Sequence, residues 1–303
     1  MASINEYAEK IHDNIEGKEI KGILLDIIMK NNLKNRVDIS NYYQSKYDIS
    51  LFDEIKTKIK GDFGYCAAQL FLSPLDFCIY HLKLGLEGKD LRAMEQLTSR
   101  TPEELKLIED KYNKTTGKNL KDDIKKAFSG PIGNDLINLW DTKRIINPNP
   151  NKSDCENFAN ILIQNKPKDW VENENIFKEI FIERSPEELI LIARYYLKNS
   201  GKNLIDDIEN KTNGNIRYLL REILYNNIMP HEIFADKLRF AIAGLGTDEE
   251  TLSRVLVSRC ELDMSAIRDM YFTKYNASLK DDIINDTSKN YQKLCVYLSE
   301  NKI

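Results

Sequence analysis

The sequence repeats one pattern four times along its 303 residues. Each copy contains an acidic pair, and the first residues of the four pairs are Asp53, Asp122, Asp206 and Asp281. In every copy a Leu lies two positions before this residue, an Ile two positions after it, a Tyr ten before it and an Ile fourteen before it. Repetition of this kind means that one folding unit is used several times. The sequence therefore predicts four units, at residues 1–72, 73–145, 146–228 and 229–303.

The intervals between the acidic pairs are 69, 84 and 75 residues, and the long middle one contains N-P-N-P-N-K-S at residues 147–153. Pro and Asn clustered between patterned segments are typical of loops. This stretch predicts a linker between two halves of the chain, each with two copies.

The pattern inside each copy is helical. Apolar residues recur every three or four positions in segments such as 90–97 and 250–257. Thr101 and Ser185 each precede a Pro, with a Glu three residues after the cap, which is the capping box of a helix start. With only 13 Gly and 8 Pro, the chain is poor in the residues that many tight β-turns need. We expect an all-α fold with about five short helices in each copy.

The repeated Ile, Tyr and Leu residues are expected to form the core of each unit. The acidic pairs occur in every copy, including copies that lack the glycine loop described next. They are therefore interpreted as helix-starting or salt-bridging groups rather than as metal ligands.

The fourth copy contains the loop A-I-A-G-L-G-T-D-E-E at residues 241–250. Gly244 and Gly246 allow a sharp turn that points carbonyl groups outward, and Thr247 with Glu250 is predicted to form a capping box for the next helix. Converging carbonyl oxygens suit calcium, which binds six to eight oxygen ligands. A carboxylate is needed to balance the charge, and the fourth copy supplies Asp286.

These features together resemble the annexin family: four repeats, a longer link after the second, a G-x-G-T-D loop and a distant acidic residue. The resemblance spans essentially the whole chain and includes Ser258-Arg259 and the run T-S-R-T-P-E-E-L at 98–105. Divergent protist members such as the alpha-giardins are a plausible neighbourhood, because several copies are degenerate.

The resemblance implies a slightly curved disc with loops on its convex face. It implies Ca²⁺ bound by the carbonyls of Ile242, Gly244 and Gly246 and by the Asp286 carboxylate. Water or lipid phosphoryl oxygens would complete the coordination, which is how the family bridges to acidic membranes. The implied location is the cytoplasm, peripheral at the inner face of membranes or associated with the cytoskeleton.

The other three copies depart from this pattern. At the position of Asp286 the first copy has Lys58, the second Ala127 and the third Lys211. The second copy has Glu87 in place of the second loop glycine, and the third has no glycine in the loop at all. An ammonium group repels calcium, so three of the four sites are expected to be lost. One dication held by one carboxylate is expected to bind weakly unless lipid adds oxygens.

Three residues are predicted to contact the membrane. Leu245 and Thr247 lie at the tip of the loop, and Trp170 aligns with Leu245 in the third copy. Tryptophan is favoured at bilayer interfaces, although packing of Trp170 against its own repeat is an open alternative. Lys58 and Lys211 could attract acidic headgroups directly or could be ordinary solvated lysines.

Enzymatic function has little support in the sequence. The three histidines fall in unrelated registers, and no P-loop, G-x-S-x-G or H-E-x-x-H motif occurs. The five cysteines are odd in number and widely spaced, as expected of free buried thiols. A net charge of −4 argues against a nucleic-acid surface, and the sequence shows neither a secretory signal nor an apolar span, so any membrane contact is expected to be peripheral.

Two functions therefore remain open. The first is calcium-dependent binding to acidic phospholipid membranes, by a monomer that organises membranes or links them to the cytoskeleton. The second is a helical scaffold that binds a cytoskeletal protein or a membrane with little dependence on calcium. The intact loop at Ile242–Thr247 with Asp286 favours the first, and the three degenerate copies keep the second open.

Overall fold

A computed structural model describes residues 2–141, 147–244 and 246–300, and within these ranges the chain is helical and contains no strand. The predicted boundary at 145/146 lies outside the described residues, and the boundaries at 72 and 228 stay predictions. The helices follow the predicted copies in four groups. The first two groups are α1 (Ile4–Asn14), α2 (Ile20–Lys30), α3 (Leu33–Tyr47), α4 (Leu51–Lys58) and α5 (Asp62–Gln69), then α6 (Pro74–Gly88), α7 (Leu91–Thr98), α8 (Pro102–Thr116), α9 (Leu120–Ala127) and α10 (Pro131–Asn138).

The third group begins after the linker, which is shorter than predicted because Asn151 caps α11 and brings Lys152 and Ser153 into that helix. It contains a π-helical segment at Phe177–Ile182 between α13 and α14. The last two groups are α11 (Lys152–Gln164), α12 (Pro167–Glu172), α13 (Glu174–Ile176), α14 (Pro186–Ser200), α15 (Leu204–Lys211) and α16 (Gly214–Ile228), then α17 (Pro230–Ile242), α18 (Glu249–Arg259), α19 (Met264–Tyr275), α20 (Leu279–Asp286) and α21 (Lys289–Glu300).

The repeated positions form the core, as the sequence predicts. The sixteen apolar and tyrosine residues that define the repeat are all buried. Two of the three predicted capping boxes are present: the hydroxyls of Thr101 and Ser185 accept from backbone N–H groups of the first helical turn, and the glutamates reach back to the cap N–H. These contacts satisfy N–H groups that a helix start leaves unpaired.

The acidic pairs have a structural role in each copy. The N–H of the first acid donates to the side chain of the helix cap, as in Asp122 to Asn119 at 3.1 Å. The second acid accepts a hydrogen bond from the repeated tyrosine eleven residues earlier. These bonds are Tyr43–Glu54, Tyr112–Asp123, Tyr196–Asp207 and Tyr271–Asp282.

The chain divides into two compact units that differ from the predicted halves. One unit contains Met1–Phe77 and His231–Ile303, and the other contains Cys78–Pro230. The first and fourth copies therefore pack together, as do the second and third. Within the first unit, the buried guanidinium of Arg36 contacts the Glu261 carboxylate at 2.6 Å and donates to the carbonyls of Asn31 and Leu70. The linker marks a break in the sequence but does not separate the packed units.

Candidate calcium site

The glycine loop of the fourth copy connects α17 to α18. Gly244 and Gly246 have φ angles of +148° and +92°, which L-amino acids with side chains rarely adopt. The space around both α-carbons is open, so the backbone conformation rather than crowding requires glycine there. A backbone hydrogen bond of 2.8 Å from the Asp248 N–H to the Ala241 carbonyl closes the loop. Both glycines are exposed, so their backbone groups are accessible.

Asp286, the last residue of α20, lies against this loop. The hydroxyl of Thr247 donates to Oδ2 of Asp286 at 2.6 Å and contacts the Asp286 backbone oxygen at 3.1 Å. The predicted capping box of Thr247 and Glu250 is wrong. The cap of α18 is Asp248, whose carboxylate accepts from the Thr251 N–H at 3.0 Å, and this leaves the Thr247 hydroxyl free to bond to Asp286.

The Asp286 carboxylate has no basic partner in the described part of the chain. Its one hydrogen-bond donor there is a neutral hydroxyl, and the side chain is partly exposed. A carboxylate beside the exposed backbone of Gly244 and Gly246 has the chemistry of a calcium site. Ile242, the third predicted carbonyl ligand, is the buried last residue of α17. The described residues contain no cluster of three or more His, Cys, Asp or Glu side chains that could hold a metal.

The annexin family model matches residues 83–139, 157–223 and 233–298, which together make up more than half of the chain. The chain belongs to the annexin family. Human annexin A3 is 31% identical over 291 residues, covering 92% of this chain and 90% of that protein. A structure of chicken annexin V in complex with Zn²⁺ matches with a TM-score of 0.88 at 26% identity, covering 99% of this chain and 96% of that one.

Calcium-bound structures exist among the similar proteins. Calcium-bound annexin (Sm)1 is 25% identical, with a TM-score of 0.75 over 99% of this chain and 91% of that one. Calcium-bound alpha-14 giardin has a TM-score of 0.80 over 98% of this chain and 100% of that one, but it is only 15% identical and shows the fold alone. Membership of the family supports calcium-dependent phospholipid binding in general, and no helix in the described part of this annexin is long and apolar enough to cross a membrane.

The loops of the first and second copies each contain an acid that is already paired with a base. In the first copy the Lys58 ammonium contacts Glu16 at 2.5 Å. In the second copy the Arg92 guanidinium lies 2.6 Å from the Asp90 carboxylate and donates to both of its oxygens. Glu16 and Asp90 therefore each have a basic partner within the chain, in contrast to Asp286 in the described residues.

The third copy has a short helix, α12, where the fourth has its glycine loop. Pro167 begins this helix. The following residue, Lys168, forms an ion pair with Glu172 at 3.2 Å. Lys211, at the position of Asp286, forms an ion pair with Asp207 inside α15. Each of these ion pairs lies within one helix, so neither joins α12 to α15.

The prediction that Trp170 contacts the membrane is wrong for this structure. The indole is fully buried, its N–H donates to the Leu162 carbonyl at 3.1 Å, and its ring packs near Phe181 and Tyr196. The alternative, packing of Trp170 within its own repeat, is what the structure contains. The physical reason is α12, which turns this face of the segment inward. Leu245, the other predicted apolar contact, lies outside the described residues.

An open groove lies beside the loop, and the repeat pattern gave no indication of it. The groove has a volume of about 490 Å³, and its walls come from the end of α4, the start of α5 and residues 247–250. Lys56, Lys60 and Asp62 contribute charges on one side, and Asp248 and Glu249 on the other. The walls come from segments that lie far apart in the sequence, and they meet because the first and fourth copies pack into one unit.

Proposed function

We propose that this annexin binds acidic phospholipid membranes through one calcium ion held by its fourth copy. The proposed ligands are the carbonyls of Ile242, Gly244 and Gly246 and the carboxylate of Asp286. The observation that supports this most directly is the pairing of Asp286 with Thr247. It holds an acid, which has no basic partner in the described residues, against the loop that contains the exposed Gly244 and Gly246.

A single carboxylate gives a weak site in the absence of lipid. Calcium sites with few charged ligands have dissociation constants of about 10⁻⁴–10⁻³ M. A lipid phosphate that completes the coordination raises the affinity for calcium, and by thermodynamic linkage calcium raises the affinity for lipid to the same extent. Binding is therefore conditional on both ligands.

The loop tip is the proposed point of membrane contact, through Leu245 and Thr247. The groove next to Thr247 provides room and charge for part of a headgroup. The protein acts as a monomer in solution, located in the cytoplasm and peripheral at the inner face of membranes, where it organises the bilayer or links it to the cytoskeleton. It has no catalytic role and binds no nucleic acid.

Co-sedimentation with phosphatidylserine vesicles tests this function. Wild type is expected to pellet with vesicles in millimolar calcium and to remain in the supernatant with chelator. Asp286→Ala is expected to lose the calcium-dependent fraction. Asp281→Ala removes the same charge from the same helix at an exposed position away from the loop, and is expected to behave as wild type. Calcium-independent pelleting that is insensitive to Asp286→Ala would contradict the bridge.

A second function is favoured by the pairing of loop acids with bases in the other copies. An annexin in which the other three copies lack the calcium pattern can bind a cytoskeletal filament or a membrane as a scaffold, with little dependence on calcium. Absence of vesicle binding in both conditions, together with calcium-independent co-sedimentation with a filament, would favour this function.

A further inference from the structure

The sequence contains a single Asn-Gly step, Asn213-Gly214, at the junction of α15 and α16. Asn213 is the cap of α16, and Gly214 is the first residue of that helix, with a φ angle of +52°. Both residues are exposed, and the space around the Gly214 α-carbon is open. Water therefore reaches both the side chain of the asparagine and the backbone of the glycine.

The side chain of Asn213 is held less firmly than those of the other asparagines that cap helices in the described part of the chain. Each of the other five accepts a hydrogen bond on Oδ1 from a backbone N–H of the first helical turn. These five are Asn32, Asn119, Asn151, Asn173 and Asn203. Asn213 accepts no such bond. Its carboxamide therefore lacks the restraint that a cap bond provides.

The backbone nitrogen of Gly214 is also unrestrained. The first N–H groups of a helix have no carbonyl partner within that helix, and Gly214 is the first residue of α16. Glycine has no Cβ that would obstruct the approach of its nitrogen to the preceding side chain. A nitrogen nucleophile and a free carboxamide carbon, Cγ of Asn213, are therefore neighbours on the surface of the folded chain.

We propose that Asn213 is a site of spontaneous deamidation in the folded chain. The Gly214 nitrogen attacks Cγ of Asn213 and forms a C–N bond, the Cγ–Nδ2 bond breaks, and Nδ2 leaves as ammonia with the proton of the Gly214 N–H. Water then opens the cyclic succinimide that results. Opening at Cγ gives aspartate, and opening at the backbone carbonyl gives isoaspartate, whose main chain runs through Cγ. Water is the only co-reactant.

The two products affect α16 differently. The aspartate product places a carboxylate at the start of the helix, where the helix dipole favours negative charge. The isoaspartate product adds one methylene to the main chain directly after Thr212, whose carbonyl accepts from the Arg217 guanidinium at 2.9 Å. Because α16 packs against α7 and α14 and buries Leu220 and Ile223, a displaced helix start loosens the second unit. The proposal concerns the third copy and does not rest on the proposed function.

Mass spectrometry of the full chain, aged at neutral pH and then digested with trypsin, tests the proposal. Cleavage after Lys211 and Arg217 yields a peptide that contains both Asn213 and Asn215, and Asn215 is followed by Ile, so it is an internal control. The folded chain is expected to deamidate at Asn213 and not at Asn215, at a rate close to that of the chain unfolded in urea. Conversion in urea without conversion of the folded chain would overturn the proposal, as would equal conversion at Asn215.

The chemical route has two separate tests. Gly214→Ala places a methyl group in open space beside the attacking nitrogen and should slow the conversion strongly, with circular dichroism to establish that the variant is folded. The second test needs no variant: isoaspartate, detected by an isoaspartate-specific methyltransferase, arises from the succinimide and not from direct hydrolysis of the carboxamide. An unchanged rate in Gly214→Ala, or aspartate without isoaspartate in wild type, would overturn the route.

Urea unfolding tests the effect on α16. Asn213→Asp reproduces the aspartate product and should unfold at no lower urea concentration than freshly purified wild type. Aged wild type that contains isoaspartate should unfold at a lower urea concentration than Asn213→Asp. Coincident unfolding curves for the aged chain and Asn213→Asp would overturn the conclusion that isoaspartate loosens the start of α16.

Discussion

The hydroxyl of Thr247 donates a 2.6 Å hydrogen bond to Oδ2 of Asp286, a residue 39 positions further along the chain. The bond holds the carboxylate against the glycine loop before any metal arrives. A carboxylate oxygen has more than one acceptor position, so Asp286 can keep this bond and still ligate calcium.

Thr247→Val keeps the shape of the side chain and removes its hydroxyl. A hydrogen bond to a charged group contributes about 1.5–3 kcal/mol, and part of this holds Asp286 in place. We expect calcium affinity to fall by roughly threefold to tenfold, since 1.4 kcal/mol corresponds to a factor of ten. Isothermal titration measures the change, and Thr247→Ser should retain most of the affinity. Equal affinity in Thr247→Val and wild type would show that the bond does not position the ligand.

The loop glycines could be identified from the sequence because their spacing favours a sharp turn with outward carbonyl groups. Asp286 could be identified because the resemblance to annexins implies an acid at that position, although the other three copies lack it. The capping residue could not, because Thr247 and Asp248 are adjacent and both are good helix caps. In the structure Asp248 caps the helix, and the Thr247 hydroxyl bonds instead to Asp286.

Trp170 shows where aligning the four copies with one another fails to predict the structure. Its match to Leu245 assumes that the third copy has a loop at that place, whereas Pro167 begins a helix and the indole turns inward to Leu162. Packing between copies could not be predicted from the sequence either. The contact of Arg36 with Glu261 depends on side chains 225 positions apart that no periodicity connects.

The hydrogen bonds between the repeated tyrosines and acids are expected to contribute different amounts to the free energy of unfolding in different copies. Tyr112 donates to Asp123 at 2.7 Å, and Tyr196 donates to Asp207 at 2.6 Å. Asp207 also has Lys211 as a partner, whereas in the described residues the side-chain donor to Asp123 is Tyr112. Tyr112→Phe leaves its acid without that donor and should lower the free energy of unfolding by about 1.5–3 kcal/mol.

Tyr196→Phe should cost less than Tyr112→Phe, because the ammonium of Lys211 remains beside Asp207. Urea unfolding followed by circular dichroism measures both variants under identical conditions. Adding Lys211→Ala to Tyr196→Phe should raise its cost toward that of Tyr112→Phe. The opposite order of the two single variants would contradict this explanation.

Asp135 makes stability depend on pH. Its side chain is buried, and its Oδ2 has no hydrogen-bond partner among the residues that the structure describes. Burial, with the nearby Glu174 carboxylate, raises its pKa from 3.8 to about 8. Between these values the folded chain keeps a proton that the unfolded chain has lost. The contribution of Asp135 is therefore fully present below about pH 4 and is lost as the pH rises toward 8.

Asp135→Asn cannot ionise and should remove this dependence. The free energy of unfolding of the variant minus that of wild type should increase steadily from pH 5 to pH 8, whatever its value at pH 5. Urea unfolding at pH 5, 6.5 and 8 measures the difference. Glu174→Gln removes the neighbouring charge and should lower the pKa of Asp135. The fall in the free energy of unfolding with rising pH should then end at a lower pH than in wild type. Parallel stability curves for wild type and Asp135→Asn would show that Asp135 is ionised in the folded chain.

The ion pair of Arg36 and Glu261 should contribute far more than the surface pairs. Only 4% of the Arg36 side chain is exposed, and its other donors bond to the carbonyls of Leu70 and Asn31. Arg36→Ala leaves Glu261 and two carbonyls without these donors, and removing one partner of a buried pair costs about 3–5 kcal/mol. Lys46→Ala breaks a pair with Glu9 that is about 40% exposed on both sides and screened by solvent, so it should lower the free energy of unfolding far less than Arg36→Ala does. Thermal or urea unfolding gives both values, and similar costs for the two variants would mean that the buried pair does not stabilise the packing of the first copy against the fourth.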